Sequence, residues 1–392
     1  MTGALQDLPV SGNRTASGRA ATRALFIHSG NLFGGIETAL VSLAHAALRQ
    51  SSFHAAFALC FDEGRVAEEL RSAGAVVHHL GATRLSRPWS TWQARRRLRR
   101  LLVSSPVDVC IMPSTWTHGI FAPVVRERGI PLTVWAHDRW ERTRPLDRWA
   151  LHHRPDLIIA NSQYTADGMT DAFPGAPTRV VYCPLDEPPA APNRRAEIRR
   201  ELNTPGEAVV IVQVARLEPY KGHRLLIDAL GRLPATVDWR CWFVGGAQRP
   251  SESAYLQELR SAVEAAGITH RVQFVGARED VGQVLQAADI FCHPNLGPEP
   301  FGLAFVEALR AGLPVIGTAL GGVPEIVTPE CGRLVQAGDV AGLTAVLKEL
   351  LESAPLRTIL GAAGPARASA LCDADRRLAD IADAVSSLVA DV

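Results

Sequence analysis

The amino-acid sequence predicts two doubly wound α/β domains joined by a linker. Its 392 residues exceed the usual limit of about 250–300 residues for a single hydrophobic core. Short apolar runs typical of buried strands alternate with amphipathic helical segments along most of the chain. The alternation is interrupted once, by the proline-rich stretch 186–206, and then resumes. Unbroken apolar strands flanked by helices indicate parallel sheets covered on both faces, so each half is expected to form its own layered domain.

The first half contains alternating strand and helix patterns from its first apolar run onward. Residues 36–49 and 66–73 show the periodicity of helices with one buried face. The predicted strands of this half are 24–29, 53–60, 76–80, 107–112, 132–136, 157–160 and 179–183.

The second half repeats the pattern after the linker, where prolines surround a short charged helix. The chain from about residue 339 onward is predicted to be helical without strands. The predicted strands of this half are 209–217, 239–245, 272–276, 290–294 and 315–317. The resulting division is a flexible lead 1–22, a first domain 23–186, a linker 187–206, a second domain 207–372 and a C-terminal helix 373–392.

The composition indicates which binding partners and which cellular compartment to expect for this protein. Apolar residues make up 47% and charged residues 21% of the chain, and the net charge is +1, so nothing global favours nucleic acid. The seven cysteines are scattered without a Cys-x-x-Cys pair, which favours buried thiols in a reducing compartment over disulfides or zinc. No apolar run reaches the ~18 residues that span a bilayer. We therefore expect a cytoplasmic protein, with peripheral contact at the inner face of a membrane left open.

The segment ARLEPYKG at 215–222 places two cations in a turn after an apolar strand. Arg216 and Lys221 would suit a diphosphate, because charge-assisted hydrogen bonds are worth ~1.5–3 kcal/mol each. Lys221 and Lys348 are the only lysines among 41 basic residues, which hints that this turn needs a compact ammonium rather than a guanidinium. The alternative is a surface turn with two solvated cations.

The segment EPFGLAFVE at 299–307 brackets a predicted helix start with two carboxylates. Glu299 precedes the helix and Glu307 lies on its second turn, so both could accept hydrogen bonds from the hydroxyls of a ligand. The backbone amides of Phe301, Gly302 and Leu303 would meet an anion at the helix start. The alternative is that Glu299 favours the helix dipole and Glu307 lies on a solvated face, although apolar neighbours surround Glu307.

Glycine pairs and one histidine follow other predicted strands. Gly34-Gly35, Gly245-Gly246 and Gly321-Gly322 permit close approach of a ligand to the backbone, although glycine commonly ends strands. No Gly-x-Gly-x-x-Gly and no Walker loop occurs, which argues against dinucleotide redox chemistry and ATPase activity. His137 follows a first-domain strand and would donate to a sugar or phosphate oxygen. The alternative is a structural histidine with satisfied hydrogen bonds.

The segment 84–102 combines seven arginines with Trp89 and Trp92. Such a basic amphipathic face is typical of contact with anionic lipid headgroups. A solvated surface helix is the plainer interpretation, and the sequence by itself favours it.

Together these segments resemble the family 4 retaining glycosyltransferases of the GT-B fold. The resemblance rests on 215–222, on the run HPNLGPEPFGLAFVEALRAGLPVIGT at 293–318 and on GGVPEIV at 321–327. It extends to Gly34-Gly35, His137 and the closing helices. Ala215 departs from the glycine that is common before Arg-Leu in this family. The resemblance implies two Rossmann-like domains that face each other across a cleft, the first for the acceptor and the second for the donor, with the terminal helix crossing back to the first.

The family pattern also implies roles for individual residues. Glu299 would face the hydroxyls of the donor sugar, Glu307 the ribose hydroxyls, and Arg216 and Lys221 the diphosphate, while His137 would lie near the reacting sugar. The residues implied as catalytic are Glu299, His137, Arg216 and Lys221. The remaining donor-binding positions are Gly34, Gly35, Gly245, Gly276, Phe301, Gly302 and Leu303.

The implied reaction is transfer of a sugar from a UDP- or GDP-linked donor to an acceptor hydroxyl, with retention at the anomeric carbon. No metal and no further cofactor is implied, and the acceptor is a saccharide, a lipid carrier or a small molecule, as in polysaccharide or glycolipid assembly. A glycoside hydrolase also uses two carboxylates, but it has no need for paired cations at a phosphate position. A GT-B sugar-nucleotide epimerase and a catalytically idle nucleotide-sugar-binding protein are the two remaining rival functions.

Overall fold

The computed structural model describes residues 21–30, 33–61, 64–187, 194–234, 238–247 and 249–389. Most of the lead predicted for residues 1–22 and the middle of the predicted linker, 188–193, lie outside the described residues. The chain divides into two compact units: the first comprises Met1–Asp186 together with Cys372–Val392, and the second comprises Glu187–Leu371. Each unit is a Rossmann-like α/β structure, which confirms the predicted fold class.

In its described residues, the first unit contains a parallel sheet of seven strands in the order β3-β2-β1-β4-β5-β6-β7. Its strands are β1 Thr22–His28, β2 Phe53–Leu59, β3 Val76–His79, β4 Val109–Met112, β5 Leu132–Ala136, β6 Leu157–Ala160 and β7 Thr178–Val180. Its helices are α1 Gly35–Arg49, α2 Arg65–Ser72, α3 Pro88–Ser104, α4 Thr115–Arg126, α5 Pro145–Ala150, α6 Gln163–Ala172 and α15 Ala374–Val389.

The described part of the second unit contains a parallel sheet of six strands in the order β10-β9-β8-β11-β12-β13. Its strands are β8 Val209–Val214, β9 Trp239–Val244, β10 Val272–Gly276, β11 Ile290–His293, β12 Val315–Thr318 and β13 Gly332–Val335. Its α-helices are α7 Arg195–Glu201, α8 His223–Leu230, α9 Pro250–Ala265, α10 Val281–Ala287, α11 Leu303–Arg310, α12 Val323–Ile326, α13 Val340–Glu352 and α14 Ala354–Cys372. Short 3-10 helices lie at Pro219–Lys221 and Thr269–Arg271.

Helix α15 completes the first unit, as the resemblance implied. It packs on α1 and against β1, β4 and β6. Arg49 donates to the carboxylate of Asp375 at 2.9 Å, and Gln50 donates to the carbonyl of the same residue at 2.9 Å. The amide of Leu185 donates to the carbonyl of Cys372 at 2.9 Å. The first unit is therefore assembled from two separate stretches of the chain.

Several strand bounds differ from the sequence prediction: β8, predicted as 209–217, ends at Val214, and two edge strands also differ. Strand β13, Gly332–Val335, was not predicted, because this four-residue edge strand contains a glycine and an arginine and leaves Leu334 exposed. The predicted strand 179–183 is observed as Thr178–Val180, also at a sheet edge. Edge strands are covered on fewer sides, so their sequences carry a weaker apolar pattern.

Large side chains fill both cores. The rings of Phe26, Phe57 and Trp135 are buried in the first unit, and those of Trp239 and Phe243 in the second. All seven cysteines are buried, as predicted, and none forms a disulfide in the described part of the chain. Of the described helices, none has both the length and the apolar composition needed to cross a bilayer.

Candidate active site

The candidate site residues of the second unit lie where the strand order of its sheet reverses. Strands β8 and β11 are hydrogen-bonded neighbours, but the chain continues from β8 towards β10 on one side and from β11 towards β13 on the other. Crevices at such switch points, beyond the carboxyl ends of the strands, are the usual ligand sites of doubly wound sheets. Lys221 ends the 3-10 helix that follows β8, and Glu299 lies in the loop that follows β11.

Lys221 and Glu299 form an ion pair that also includes Asn295. The ammonium of Lys221 contacts Oε2 of Glu299, and the side-chain amide of Asn295 donates to the same oxygen at 2.9 Å. The exposed fractions of the lysine and glutamate side chains are only 10% and 14%. Oε1 of Glu299 accepts no hydrogen bond from the described residues, so this oxygen remains available to a ligand.

Close packing of the two loops holds this ion pair in place. Gly222 has a φ of +75°, and a Cβ at this position would lie 1.8 Å from the carbonyl oxygen of Pro294. The amide of Leu296 donates to the carbonyl of Tyr220 at 2.8 Å. Because only glycine fits such an approach at a positive φ, Gly222 brings the loop after β8 against the loop after β11.

Arg216, the second predicted cation, has a carboxylate partner of its own. Its guanidinium lies 3.1 Å from the carboxylate of Glu218, and 43% of its side chain is exposed. Both predicted diphosphate ligands are therefore paired with carboxylates in the described structure. Arg216 keeps enough exposure to accept an anionic ligand, whereas Lys221 is more enclosed.

The helix that begins beside Glu299 is α11. Its first residue is Leu303, and Gly302 is its N-cap, with a φ of +100°. Glu307 lies on the second turn of this helix, as predicted. The ring of Phe301 is buried, so this residue anchors the helix start to the core rather than presenting its side chain to a ligand.

Glu307 is a half-buried carboxyl without a hydrogen-bonding partner among the described residues. Burial raises the pKa of this group to about 7, and the charge of Arg310 opposes the rise. A carboxyl group buried without a partner is costly. Such a group suits a role in which the missing partners are the hydroxyls of a ligand.

Two further predicted donor-binding residues, Gly245 and Gly276, contact each other. The amide of Gly245 donates to the carbonyl of Gly276 at 2.9 Å, and a Cβ on Gly245 would lie 1.9 Å from the carbonyl oxygen of Ala215. The absence of a side chain at Gly245 therefore lets the end of β9 pack against the end of β8. A Cβ on Gly276 would meet no described atom within 4 Å, so the approach to this residue is open.

The first unit carries the remaining predicted residues. Gly34 is the N-cap of α1 and Gly35 its first residue. Helix α1 follows β1, the strand at which the strand order of this sheet also reverses. Glu37 is buried in the first turn of α1, and its carboxylate lies 2.8 Å from Nε2 of His28 at the end of β1. This buried pair links the end of β1 to the first turn of α1.

His137 directly follows β5. Burial, with a smaller contribution from the neighbouring His28, lowers the pKa of His137 to about 3. Its Nδ1 lies 3.8 Å from the sulfur of Cys183, and its Nε2 is buried without a partner in the described structure. A neutral imidazole has one N–H to donate, so His137 can act as a hydrogen-bond donor near neutral pH but supplies no positive charge.

Sequence reasoning missed several residues of these two sites. Asn295 holds Glu299, the amide of Gln213 donates to the carbonyl of Lys221 at 2.7 Å, and His28 binds Glu37. Each is a polar residue at or near the end of an apolar strand, and that position was the available signal. Among the described residues, no group of three or more His, Cys, Asp or Glu side chains is arranged to hold a metal ion.

Comparison with known proteins assigns the family. The family description "Glycosyltransferase Family 4" matches residues 33–187, and "Glycosyl transferases group 1" matches residues 194–367. These ranges cover most of both units. The chain belongs to the family 4 glycosyltransferases of GT-B fold. A crystal structure of Anabaena HepE in complex with UDP and glucose superimposes with a TM-score of 0.81 at 25% identity, over 93% of this chain and 100% of that chain.

Two curated family relatives are also similar in sequence. One is a GDP-mannose-dependent monoacylated alpha-(1-6)-phosphatidylinositol monomannoside mannosyltransferase of Corynebacterium glutamicum, 34% identical over 55% of this chain and 58% of the relative. The other is a D-inositol 3-phosphate glycosyltransferase of Salinispora tropica, 30% identical over 70% of this chain and 63% of the relative. The chain thus spans about three fifths of the length of these relatives.

Proposed function

We propose that this protein is a retaining glycosyltransferase that transfers a sugar from a nucleoside-diphosphate donor to an acceptor hydroxyl without a metal ion. The observation that carries the proposal is the arrangement of Lys221, Glu299 and Asn295 at the switch point of the second sheet. It combines a cation with a fixed carboxylate that keeps one oxygen open. A donor with an anionic diphosphate next to a polyhydroxylated ring needs both groups.

Each of these residues is proposed to bind a different part of the donor. The ammonium of Lys221 has three N–H donors, so it can keep its bond to Glu299 and also bind a phosphate oxygen. Oε1 of Glu299 then accepts from a hydroxyl of the transferred sugar. Glu307, the fifth residue of α11, accepts from the ribose hydroxyls. Arg216 adds a second, more exposed cation for the diphosphate.

Charge development explains how this arrangement accelerates transfer. Negative charge grows on the diphosphate as the glycosidic bond breaks, and fixed cations stabilise that charge more in the transition state than in the ground state. The departing phosphate takes the proton of the acceptor hydroxyl on the face from which it leaves, which gives retention. Lys221 and Arg216 supply positive charge that a metal ion supplies in other phosphate-transfer sites.

The donor and acceptor classes are proposed from the relatives. The names and titles of the similar proteins mention GDP-mannose, UDP with glucose, and inositol-containing acceptors. We propose a UDP- or GDP-linked hexose as donor and a hydroxyl of a glycolipid, saccharide or polyol as acceptor, with transfer on the cytoplasmic side of the membrane.

Thermal stabilisation by a panel of nucleotide sugars tests the donor. A ligand at 100 times its dissociation constant adds about 2.7 kcal/mol of stability. Transfer is then measured with the stabilising donor and a mixture of lipid and saccharide acceptors, in the presence of EDTA. The anomeric configuration of the product, read by proton NMR, tests retention. An inverted product, or activity that EDTA abolishes, contradicts the corresponding part of the mechanism.

The two rival functions give different results in the same experiment. A sugar-nucleotide epimerase changes the donor when no acceptor is added, and an idle binding protein is stabilised by a donor but never turns it over. The described structure favours transfer over idle binding because the four residues Arg216, Lys221, Glu299 and Glu307 are all present at one end of a single sheet. Release of free nucleoside diphosphate only when an acceptor is present supports transfer.

A further inference from the structure

Helix α3 of the first unit presents an exposed stripe opposite its buried face. Ala94, Leu98 and Leu102 pack into the core. The outward positions carry two tryptophans, two arginines and a valine at helical spacing: Trp89, Trp92, Arg96, Arg100 and Val103. Trp89, Trp92 and Val103 have exposed fractions of 64%, 45% and 59%. Exposed aromatic and aliphatic side chains in a row are unusual on a surface that faces only water.

The arginines of this segment fall into two groups. Arg95 donates to the carbonyl of Ile120, Arg97 donates to the carbonyl of Leu80, and Arg99 forms a bidentate pair with Glu127. These three are used within the fold. The other four form no ion pair: in the described part of the chain, no carboxylate oxygen lies within ion-pairing distance of Arg84, Arg87, Arg96 or Arg100, and residues 84–104 contain no acidic residue.

Two of the unpaired arginines line a shallow depression beside the stripe. Its volume is about 330 Å³, and its walls are Arg96, Arg99, Arg100, Val103, Ser104 and Arg128. Arg128 also has no ion-paired carboxylate among the described residues. The depression therefore offers three guanidinium groups without an ion-paired carboxylate, which is the chemistry that recognises a phosphate. The charge of Arg128 also acts on the carboxylate of Glu127, which is ion-paired with Arg99.

The tryptophans lie at the other end of the same stripe. The ring centroids of Trp89 and Trp92 are 4.6 Å apart with an interplanar angle of 19°, and the guanidinium of Arg96 lies 5.5 Å from the Trp92 ring. Indole side chains prefer the interface between water and hydrocarbon, where the ring is half-solvated and the N–H meets polar groups. Leu85 adds a further exposed apolar side chain before the helix.

We propose that this surface, which comprises Leu85, Trp89, Trp92, Arg96, Arg100, Val103 and Arg128, binds the surface of an anionic lipid bilayer. In this arrangement the depression receives a headgroup phosphate, while the paired indoles and Val103 enter the interfacial layer. The unpaired arginines add attraction to the negative surface potential. This assignment is independent of the proposed sugar transfer, because it uses none of the donor-site residues.

A bilayer fits this surface better than a nucleic acid. Single-stranded nucleic acids bind through bases that stack on open aromatic faces along a groove. Here the two indoles stack on each other, so part of each face is already covered. The aliphatic side chains Leu85 and Val103 contribute to insertion into lipid but offer nothing to a phosphodiester backbone.

The test is flotation of the full chain with vesicles of phosphatidylcholine alone or phosphatidylcholine mixed with phosphatidylglycerol, without any sugar donor. We expect binding to the anionic vesicles that weakens when the salt is raised from about 0.1 M to about 1 M, because the screening length falls from ~10 to ~3 Å. Each basic residue near an anionic surface is worth about fivefold in affinity. The triple variant R96A/R100A/R128A should therefore bind about 100-fold more weakly.

Two comparisons make the test specific. The control triple R148A/R232A/R376A removes the same charge from exposed positions on other parts of the chain and should bind within about fivefold of wild type. The variant W89A/W92A should lose the part of vesicle binding that persists at high salt, because that part comes from insertion of the indole rings. Equal loss in both triples, equal binding to vesicles of phosphatidylcholine alone, or absence of binding to anionic vesicles would overturn the proposal. Tighter binding to single-stranded RNA than to vesicles would do the same.

Discussion

Replacement of Glu307 by glutamine is expected to stabilise the protein at alkaline pH. In the folded protein this carboxyl has a pKa of about 7, whereas the ordinary value is 4.5. Between these two values the folded protein keeps a proton that the unfolded chain has released. The free energy of unfolding therefore falls as the pH rises through this window and levels off above about pH 7.

The size of the effect follows from the pKa difference. One pKa unit corresponds to about 1.4 kcal/mol, so the rise from 4.5 to about 7 sets an upper limit of about 3 kcal/mol. Glu307→Gln removes the charge and nearly keeps the shape of the side chain. We expect the variant to be more stable than the wild type by about 1–3 kcal/mol at about pH 8 and nearly equal to it at about pH 5.

Urea unfolding at several pH values between about 5 and 8 measures this difference. The matched control is Glu258→Gln, which changes an exposed carboxylate on α9 and should shift stability by less than about 0.5 kcal/mol at every pH. The same variants are then tested for donor binding. We expect Glu307→Gln to bind the donor less tightly despite its greater stability, because an amide accepts hydroxyl donors less strongly than a carboxylate.

One result would refute this reasoning. If Glu307→Gln lost the same amount of stability at every pH, the carboxylate would have to be paired in the folded protein. Burial without a partner would then be the wrong description of this residue. Its predicted role in holding the ribose hydroxyls would lose its physical basis.

Three further changes test the second-unit site. Lys221→Ala should keep the circular dichroism spectrum but reduce transfer by about 10- to 150-fold, since a charge-assisted bond contributes ~1.5–3 kcal/mol. Turnover like that of wild type would contradict the assignment. Gly222→Ala should lower the free energy of unfolding by more than ~2 kcal/mol, because its Cβ would lie 1.8 Å from the carbonyl oxygen of Pro294. The control Gly206→Ala, whose Cβ would meet no described atom within 4 Å, should change the free energy of unfolding little. Similar unfolding midpoints for the two variants would argue against the packing role of Gly222. Asn295→Ala should lower kcat/KM about tenfold. Asn295→Asp should lower it further, because it adds a negative charge beside the carboxylate of Glu299. Steady-state kinetics that do not separate these variants from wild type would exclude a positioning role for Asn295.

Much of the fold could be predicted from the sequence. The bounds of β5 and β6 agree with the predicted 132–136 and 157–160, because central strands of a covered parallel sheet are apolar on both faces. The bounds of the edge strand β10 also agree with the predicted 272–276, since three of its five residues are apolar. The short edge strand β13 was missed because half of its four residues are exposed or partly exposed. Strands are recognised in a sequence by their buried apolar residues, so prediction is weakest for short, partly exposed strands such as β13.

The site was predicted only in part, for a related reason. Periodicity placed Lys221 and Glu299 after strands, but the prediction treated the cations as open to phosphate. The ion pair between Lys221 and Glu299, and the contact from Asn295, depend on β8 and β11 being neighbours in the sheet. Strand order is set by crossover connections between distant segments, and no local pattern encodes it.

The division of the first unit into two stretches affects how the protein is made. Glu187–Leu371 is continuous, so this unit can fold as soon as it leaves the ribosome. The unit whose synthesis starts earlier must wait for α15, because the side of α1 that α15 covers stays open until then. Domains usually fold in the order of synthesis, and here the last step belongs to the N-terminal part. A premature stop before Ala374 would therefore produce an aggregation-prone polypeptide in which the second unit is folded and the first unit is incomplete.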